Sequence, residues 1–207
     1  MLAVMKANST ETGERIVKVP KGTFYSFPMR MDKIYNVTII IEGKLSASKL
    51  IRGWATQPGS GYYEDFISCH DCQHLTIHGG GKIDGRGYHW WVVCILNDKK
   101  LLTDNNFRPH LIRLERSRYI KIHDITMKNS AQFHLKMDEC YDAELYNIAI
   151  LVNTIAQINL LKKFSIEGVI PLFPLNTDGI DPSGARMHIY NLTVQNFDDV
   201  VVPKPSH

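Results

Sequence analysis

The sequence predicts an all-β solenoid, a parallel β-helix in which successive coils stack on one another. Two observations support this: short strand-like runs recur along the chain, and convincing helical periodicity is nearly absent. The runs are Lys33–Ile41, His74–His78, Tyr119–Met127, Ala143–Ile150 and Met187–Val194. Each coil of a solenoid buries its apolar face only against its neighbours, so a β-rich repeat is the pattern expected of that fold.

The spacing of the runs strengthens this prediction. Several runs share a polar residue followed by an aliphatic residue and then Thr or Ala, at Asp124-Ile-Thr, Asn147-Ile-Ala and Asn191-Leu-Thr. The first two triplets are 23 residues apart and the last two are 44 apart, which suggests one and two repeats. Ile166–Ile170 then occupies the place of a missing repeat, and Asn36, Gly79 and Asp124 are again about two repeats apart. The near-constant period favours a β-helix over an ordinary β-sandwich with irregular turns.

We expect one β-helical domain over residues 1–207, because no clear domain boundary interrupts the pattern. Within it, residues 1–15 are expected to be irregular and residues 154–165 to form an insertion. Residues 56–66 and 97–109 have the composition of loops. Loops that project from successive coils would wall a cleft along the solenoid, which suits a long polymer substrate.

Composition argues against two classes of partner. The formal charge is +3 with no dense run of Lys and Arg, so nucleic acid is not favoured. No stretch reaches the roughly 18 consecutive apolar residues of a membrane span. The opening Met1–Lys6 is too short for the apolar region of a signal peptide, so secretion is not readable from this end.

Four cysteines leave several possibilities open, at Cys69, Cys72, Cys94 and Cys140. Cys69-His-Asp-Cys72 has the spacing of half a zinc site, but no second Cys-x-x-Cys accompanies it. In an oxidising compartment three disulfide pairings are possible, and the sequence does not choose among them.

Three acids are the best candidates for chemistry. Asp178 precedes Asp198 and Asp199 by 20 and 21 residues, almost one repeat, so stacking should bring the three onto neighbouring rungs about 5 Å apart. Adjacent strand residues point to opposite faces, so Asp198 and Asp199 share a cleft only if the chain turns or bulges there. Close carboxylates raise at least one pKa and keep a proton available. The alternative is that Asp181 and Asp199 cap turns and Asp178 begins an Asx-turn.

These residues resemble the signature of the polygalacturonases, pectin-degrading glycoside hydrolases of family 28. Asn176-Thr-Asp-Gly179 followed by Asp198-Asp199 is similar to that signature. Further similar segments, in the family's order, are Gly79–Trp91 ("IDG…WW"), Arg108–Ile112 ("RP") and Met127–Ser130 ("NS"). Phe173–Asp178 and Lys204-Pro205 resemble exo-acting members. The resemblance implies a right-handed parallel β-helix of the single-stranded, pectin-lyase-like type.

The resemblance also implies a role for each site residue. Asp198 matches the general acid that protonates the glycosidic oxygen, and Asp178 and Asp199 match the pair that activates water, giving inversion by single displacement. An acid and a base of this kind are expected about 6.5–9.5 Å apart. Asn176 matches a polar residue lining the cleft, and Lys204 is expected to bind substrate.

By the same resemblance the protein is expected to be a secreted monomer that hydrolyses α-1,4 bonds between galacturonic acid units of pectin, an anionic polymer. No cofactor or metal is expected. The family usually continues with Gly-His-Gly and Arg-x-Lys segments, which this sequence lacks before it ends at His207. We therefore expect a C-terminally truncated member with an incomplete solenoid and an incomplete active site. The hydrolysis is expected of the complete parent enzyme, and the truncated chain can be inactive by itself.

Three alternatives stay open. A relative acting on rhamnogalacturonan or xylogalacturonan would use the same acids. A non-catalytic, degenerate β-helix that binds cell-wall glycan is a second possibility. A Ca²⁺-dependent pectate lyase is the third, although the Asn-Thr-Asp…Asp-Asp spacing argues against it.

Overall fold

The protein is described by a computed structural model that covers residues 2–9, 15–57, 59–95, 108–155, 158–159, 162 and 176–205. Its helices are α1 (Leu2–Asn8), α2 (Tyr88–Ile95) and a 3₁₀ turn (Ile51–Gly53). Its strands are β1 (Ile16–Val19), β2 (Thr23–Ser26), β3 (Met29–Asp32), β4 (Tyr35–Ile41), β5 (Lys44–Ala47), β6 (Ile67–His70), β7 (Gln73–His78), β8 (Lys82–Asp84), β9 (Ile112–Glu115), β10 (Arg118–Lys128), β11 (Leu135–Leu151) and β12 (Ile180–Gln195).

All pairs between these strands are parallel, and they stack into three faces, so the predicted parallel β-helix is confirmed. Face A contains β3, β6, β9 and the starts of β11 and β12. Face B contains β1, β4, β7 and the middle part of each long strand. Face C contains β2, β5, β8 and the ends of β10, β11 and β12. The long strands β11 and β12 pass through all three faces as single bent strands.

The corner between faces B and C explains the triplets found in the sequence. Asp124, Asn147 and Asn191 stack there with φ of 48°, 52° and 51°. Asn and Asp tolerate this left-handed conformation because their short polar side chains hydrogen-bond locally. The Asn147 amide donates to Asp124 Oδ1 at 2.9 Å, and the Asn191 amide donates to Asn147 Oδ1 at 2.5 Å. This ladder of side chains keeps successive coils in register.

A second column of stacked residues with left-handed backbone conformation lies at the corner between faces A and B. More residue types occur in this column than in the first. Its members have φ between 53° and 57°. They are Asn36, His74, Tyr119, Asp142 and Arg186. Because His, Tyr and Arg also occupy this column, the backbone corner is imposed by stacking rather than by local preference alone.

The core fills the inside of the coils with aliphatic columns. Val37, Leu75, Ile120 and Ala143 occupy equivalent positions on face B of four successive coils, and all are buried. Burying each large aliphatic side chain contributes about 1.5–3 kcal/mol. Buried residues alternate with more exposed ones along β9 and most of β10, as expected of strands with one buried face.

The prediction of missing repeats is wrong. β11 pairs directly with β12, so the 44 residues between Asn147 and Asn191 form one coil rather than two. The same holds between β4 and β7 and between β7 and β10. The extra length lies in the connections between face C and face A, which join β5 to β6, β8 to β9 and β11 to β12. Ile166–Ile170 lies outside the described residues.

The structure also bears on the expectations for the N-terminal segment, the cysteine pair and the insertion. Residues 2–8 form α1, whose Val4 is buried, where we expected irregular chain. Cys69 and Cys72 are joined by a disulfide, so this pair does not serve as half a zinc site. Most of the expected insertion at 154–165 lies outside the described residues. No helix in the described part of the chain is long and apolar enough to cross a membrane.

Candidate active site

The three candidate acids meet where the chain enters and leaves the sixth coil. Asp178 lies two residues before β12, and Asp198 and Asp199 follow its end. The Gly179 N–H donates to the Asp199 carbonyl at 2.8 Å, which aligns the two segments. One carboxylate oxygen from each acid lies within 4.8 Å of one oxygen of both others. The structure therefore brings Asp178, Asp198 and Asp199 together on neighbouring rungs.

A bend lets both adjacent acids take part. The chain leaves regular strand geometry after Gln195 and bends at Phe197 and Asp198. The Asn196 amide secures this bend, because it donates to the Asp199 carbonyl at 2.7 Å and to the Thr177 carbonyl at 3.1 Å. The expected turn is thus present. The part played by Asn196 was not anticipated, since nothing in its sequence context marks it.

Gly179 has a structural reason to follow Asp178. A Cβ atom at this position would lie 2.3 Å from the Val200 carbonyl oxygen, far closer than real Cβ contacts. Any larger residue would push the Asp198–Val200 segment away from Asp178. The glycine in the Asn-Thr-Asp-Gly motif therefore permits the close approach of the two acid-bearing segments.

Asp178 sits in surroundings that favour its protonated form. Only 5% of its surface is exposed, and its Oδ1 has no hydrogen-bond partner among the described residues. Burial, followed by the charges of Asp181 and Asp198, raises the pKa of Asp178 to about 6. Asp198 and Asp199 are exposed. The site thus combines one buried, proton-holding carboxyl group with two that face solvent.

Asp181 is a site residue that the sequence did not reveal. The alternative to a catalytic cluster made it a turn cap, whereas it lies in β12 and is fully buried. Burial raises its pKa, and the ammonium group of Lys204 opposes that rise with Nζ 3.0 Å from Asp181 Oδ2. Lys204 does lie at the site as predicted, and the carboxylate that it contacts belongs to the protein. Its Nζ also stands 5.8 Å from the centre of the Phe133 ring.

Asn176 connects the acids to a buried arginine. Its N–H donates to Asp198 Oδ2 at 3.0 Å, and its Oδ1 accepts from Arg108 Nη2 at 3.2 Å. Asn176 adopts φ of 57°, which an asparagine tolerates well. The predicted position of Asn176 beside the acids is therefore observed. Arg108, in the "RP" segment, supports it.

His134 supports Asp178 from behind. It is fully buried, and both its N–H and its ring Nδ1 lie within 3.0 Å of the Asp178 carbonyl oxygen. Its Nε2 accepts from the Ser130 N–H at 3.3 Å. Burial lowers the pKa of His134 to about 4, so the ring is neutral over most working conditions. An isolated histidine gave no signal in the sequence.

A groove runs along the outer side of face A beside these residues. It contains two cavities of about 550 and 430 Å³ that share Arg113, Phe133 and Lys136 in their walls. Residues from the loop 56–66 form one wall of the larger cavity, as expected from the loop composition. Lys204 lines the smaller one. Basic and acidic side chains both border the groove, and Lys204, which lines it, pairs with Asp181 beside the acid cluster.

The distances between the carboxylate oxygens bear on which chemistry the acid cluster can perform. Nearest oxygens within 4.8 Å are closer than the separation expected for an inverting acid and base. Three such oxygens also have the chemistry to hold a hard cation such as Ca²⁺. A buried carboxyl group with a raised pKa beside two solvent-facing carboxylates is, equally, an arrangement for moving a proton.

Comparison with known proteins is consistent with this geometry. The sequence model of glycosyl hydrolases family 28 matches residues 9–205. A polygalacturonase from Persea americana is 24% identical over 182 residues, which cover 87% of this chain and 33% of that protein. The chain spans about a fifth to a third of the length of the curated relatives it matches first.

Two solved structures share the fold. A polygalacturonase from Erwinia carotovora ssp. carotovora superposes with a TM-score of 0.75 at 22% identity, over 99% of this chain and 54% of that one. An endo-xylogalacturonan hydrolase from Aspergillus tubingensis gives a TM-score of 0.70 at 21% identity, over 90% of this chain and 45% of that one. Together they identify the solenoid as a right-handed β-helix of the polygalacturonase type.

Proposed function

The chain belongs to glycosyl hydrolases family 28, and from that premise we propose that it hydrolyses α-1,4 bonds between galacturonic acid units of pectin. One observation carries the proposal: Asp178, Asp198 and Asp199 present oxygens within 4.8 Å of one another on adjacent coils. Hydrolysis of a glycosidic bond needs one carboxyl group as acid and another as base, and this cluster supplies both.

In the proposed reaction Asp198 donates its proton to the glycosidic oxygen as the bond to the anomeric carbon breaks. Asp178 and Asp199 hold a water molecule and accept its proton as its oxygen bonds to that carbon from the opposite side. The products are two shorter chains, and the carboxyl groups as a set end with the protons they began with. The configuration at the anomeric carbon is inverted.

The raised pKa of Asp178 bears on which carboxyl group carries the proton before substrate binds. The raised pKa belongs to Asp178, whereas the family resemblance gives the acid role to Asp198. The charge of Asp198 helps to raise the pKa of Asp178, so a negative Asp198 favours a proton on Asp178. We propose that the cluster shares this proton and that substrate binding directs it to Asp198.

Product analysis tests the proposal. Reducing ends released from polygalacturonate, rhamnogalacturonan and xylogalacturonan should be measured in parallel, with polygalacturonate expected to react fastest. Proton NMR of the first product should show the inverted anomer. Since the oxygens are closer than expected for inversion, initial formation of the retained anomer would replace this mechanism with one that uses a covalent intermediate.

The xylogalacturonan hydrolase among the similar structures suggests xylogalacturonan as an alternative substrate. That enzyme is an endo-xylogalacturonan hydrolase with the same fold. Faster release of reducing ends from xylogalacturonan than from polygalacturonate would favour that specificity. The acids and their roles would remain the same.

A lyase and a non-catalytic role are separated by two further measurements. Activity that survives a chelator, without formation of an unsaturated product, argues against a Ca²⁺-dependent lyase. Tight binding of pectic oligosaccharides with no turnover on any polymer would instead indicate a degenerate, glycan-binding β-helix.

We also propose that the protein acts outside the cell as a monomer and that residues 1–207 form one domain. The Cys69–Cys72 disulfide supports an oxidising compartment, because disulfides are rare in the cytosol. Size-exclusion chromatography coupled to light scattering tests the monomer, and a single cooperative unfolding transition tests the domain.

A further inference from the structure

The larger cavity of the groove has a wall of its own, separate from the acid cluster. An antiparallel bridge between Thr56 and Tyr63 closes the loop that forms this wall, and Gln57, Ser60 and Tyr62 face the cavity. We call this cavity the hairpin pocket. Its volume of about 550 Å³ lies within the usual range of small-ligand sites.

Its charge favours an anion. Among the described residues, Arg108, Arg113 and Lys136 line the pocket against one carboxylate, that of Asp65. Arg113 is bound to Asp138 at 2.9 Å, whereas the nearest oxygen of Asp138 lies 3.9 Å from Lys136 Nζ. Lys136 therefore has the ammonium group best placed to pair with an incoming carboxylate.

The part of the hairpin pocket formed by His110 favours binding of hydroxyl groups. His110 is 9% exposed and lines the pocket, and its Nδ1 has no hydrogen-bond partner among the described residues. The backbone N–H of His110 donates to Asp65 Oδ1 at 2.7 Å, which holds this residue beside the cavity. Burial keeps the pKa of His110 well below its ordinary value, so the ring is neutral. A neutral imidazole with an unsatisfied nitrogen suits a sugar hydroxyl.

The pocket is also linked to the acids. Arg108 lines it and donates to Asn176, whose N–H in turn contacts Asp198. We propose that the hairpin pocket is a subsite that takes one uronic acid unit, with Lys136 pairing to its carboxylate and His110 bonding a hydroxyl. This rests on the proposed function and deepens it, since it makes the pocket the part that selects acidic over neutral sugars.

Calorimetric titration tests the subsite without turnover. Trigalacturonate and the neutral galactotriose are titrated into the Asp198→Asn chain, which binds without cleaving. Lys136→Gln should raise the Kd for trigalacturonate about 10-fold by removing a charge pair, and should leave the weak binding of the neutral sugar unchanged. Lys121→Gln is the matched control, because Lys121 pairs with Glu144 on face B.

A second variant assigns the effect to the hairpin pocket itself. Lys136 borders both cavities, whereas His110 borders only the larger one among the described residues. His110→Ala should therefore also weaken trigalacturonate binding. If neither variant changes the Kd, or if both sugars bind equally, the subsite is wrong. Lys136-dependent binding with no cleavage by the unmutated chain would retain the subsite and reject the proposed hydrolysis.

A different observation supports a second inference, about His134. Because the Ser130 N–H donates to Nε2, the neutral ring carries its hydrogen on Nδ1, which donates to the Asp178 carbonyl. Ser130 is itself held by the indole N–H of Trp91, at 3.1 Å from its carbonyl oxygen. The "WW" and "NS" segments of the sequence thus lead to Asp178 through one hydrogen-bonded chain.

We infer that His134 is a positioning residue that fixes Asp178 for the reaction. Asn at position 134 can keep a donor near the place of Nδ1, whereas Leu keeps none. His134→Leu should lower kcat about 100-fold, as misplacement of a reacting group by about 1 Å can do, with KM nearly constant. His134→Asn should recover most of that loss.

The pH profile separates positioning from simple stability. In His134→Leu the acidic limb of kcat/KM should shift, because Asp178 changes its surroundings, while in His134→Asn it should stay in place. Thermal unfolding of both variants is measured alongside. Equal kcat in the two variants, or losses that follow only their unfolding temperatures, would show that His134 has a structural role alone.

Discussion

Lys204 reaches from the beginning of the seventh coil to Asp181 of the sixth, with Nζ 3.0 Å from the carboxylate oxygen. Asp181 has no exposed surface, whereas the side chain of Lys204 is 40% exposed. The pair therefore joins the segment that carries Asp198 and Asp199 to the strand that follows Asp178. The Lys204–Asp181 pair therefore affects both the stability of the protein and the charge around the acid cluster.

Lys204→Met should destabilise the protein. The substitution leaves the carboxylate of Asp181 buried without its cation, and we expect the free energy of unfolding to fall by about 1–3 kcal/mol, below the figure for a fully buried pair because Lys204 is partly exposed. Chemical denaturation at pH 7 measures the loss. The double variant with Asp181→Asn should recover part of it, whereas Lys18→Met, which breaks an exposed pair with Glu42, should cost less than about 1 kcal/mol.

Asp198→Asn should abolish hydrolysis while the fold remains intact. Loss of the general acid is expected to lower kcat on polygalacturonate at least about 100-fold, with an unchanged circular dichroism spectrum. Asp32→Asn is the control, since Asp32 pairs with Arg30 on face A four coils away. Near-normal turnover by Asp198→Asn would remove the acid role from this residue.

Asp65 should make the protein less stable as pH rises. Burial raises its pKa from 3.8 to about 6, so between these values the folded chain binds more protons than the unfolded chain. The free energy of unfolding then decreases as pH rises through that window, and the full penalty applies above about pH 6. Asp65→Asn keeps an acceptor for the His110 N–H but does not ionise. It should gain about 1–3 kcal/mol relative to the unmutated chain at pH 7.5, with little difference at pH 3.5; parallel pH dependence of the two chains would contradict this.

The Cys69–Cys72 disulfide should be detectable and moderately stabilising. Non-reducing digestion and mass spectrometry should recover one peptide bridging these residues, with Cys140 as a buried thiol. Because the closed loop is only a few residues long, the double substitution to Ser should cost about 2 kcal/mol. A bridge that involves Cys140 instead would require the A–B corner of the third coil to be rearranged.

Much of the fold was accessible from the sequence because a solenoid repeats its local rules. The recurring strand-like runs and the Asp and Asn residues at the B–C corner both follow from local geometry. The spacing of Asp178 from Asp198 placed the acids on adjacent rungs for the same reason. Counting repeats failed between Asn147 and Asn191, because a loop can lengthen a coil without changing how its strands stack.

The supporting residues of the site were not predictable in this way. His134 contacts Asp178 across 44 residues of sequence, and Arg108 contacts Asn176 across 68. These separations depend on the lengths of loops, which follow no period. Asp181 was not predicted at the site, because its burial and its pairing with Lys204 depend on contact with the next coil. Contacts between coils are therefore visible only in three dimensions.

The placement of all the long loops at the boundary between faces C and A has a consequence for how such a protein diversifies. The ladders at the other corners hold the coils on a common axis, and no long loop is inserted there among the described residues. Substrate preference can then change by exchange of the loop 48–66 or its neighbours, while the stacked scaffold is inherited unaltered. Recognition and architecture are thus encoded in separate stretches of one chain.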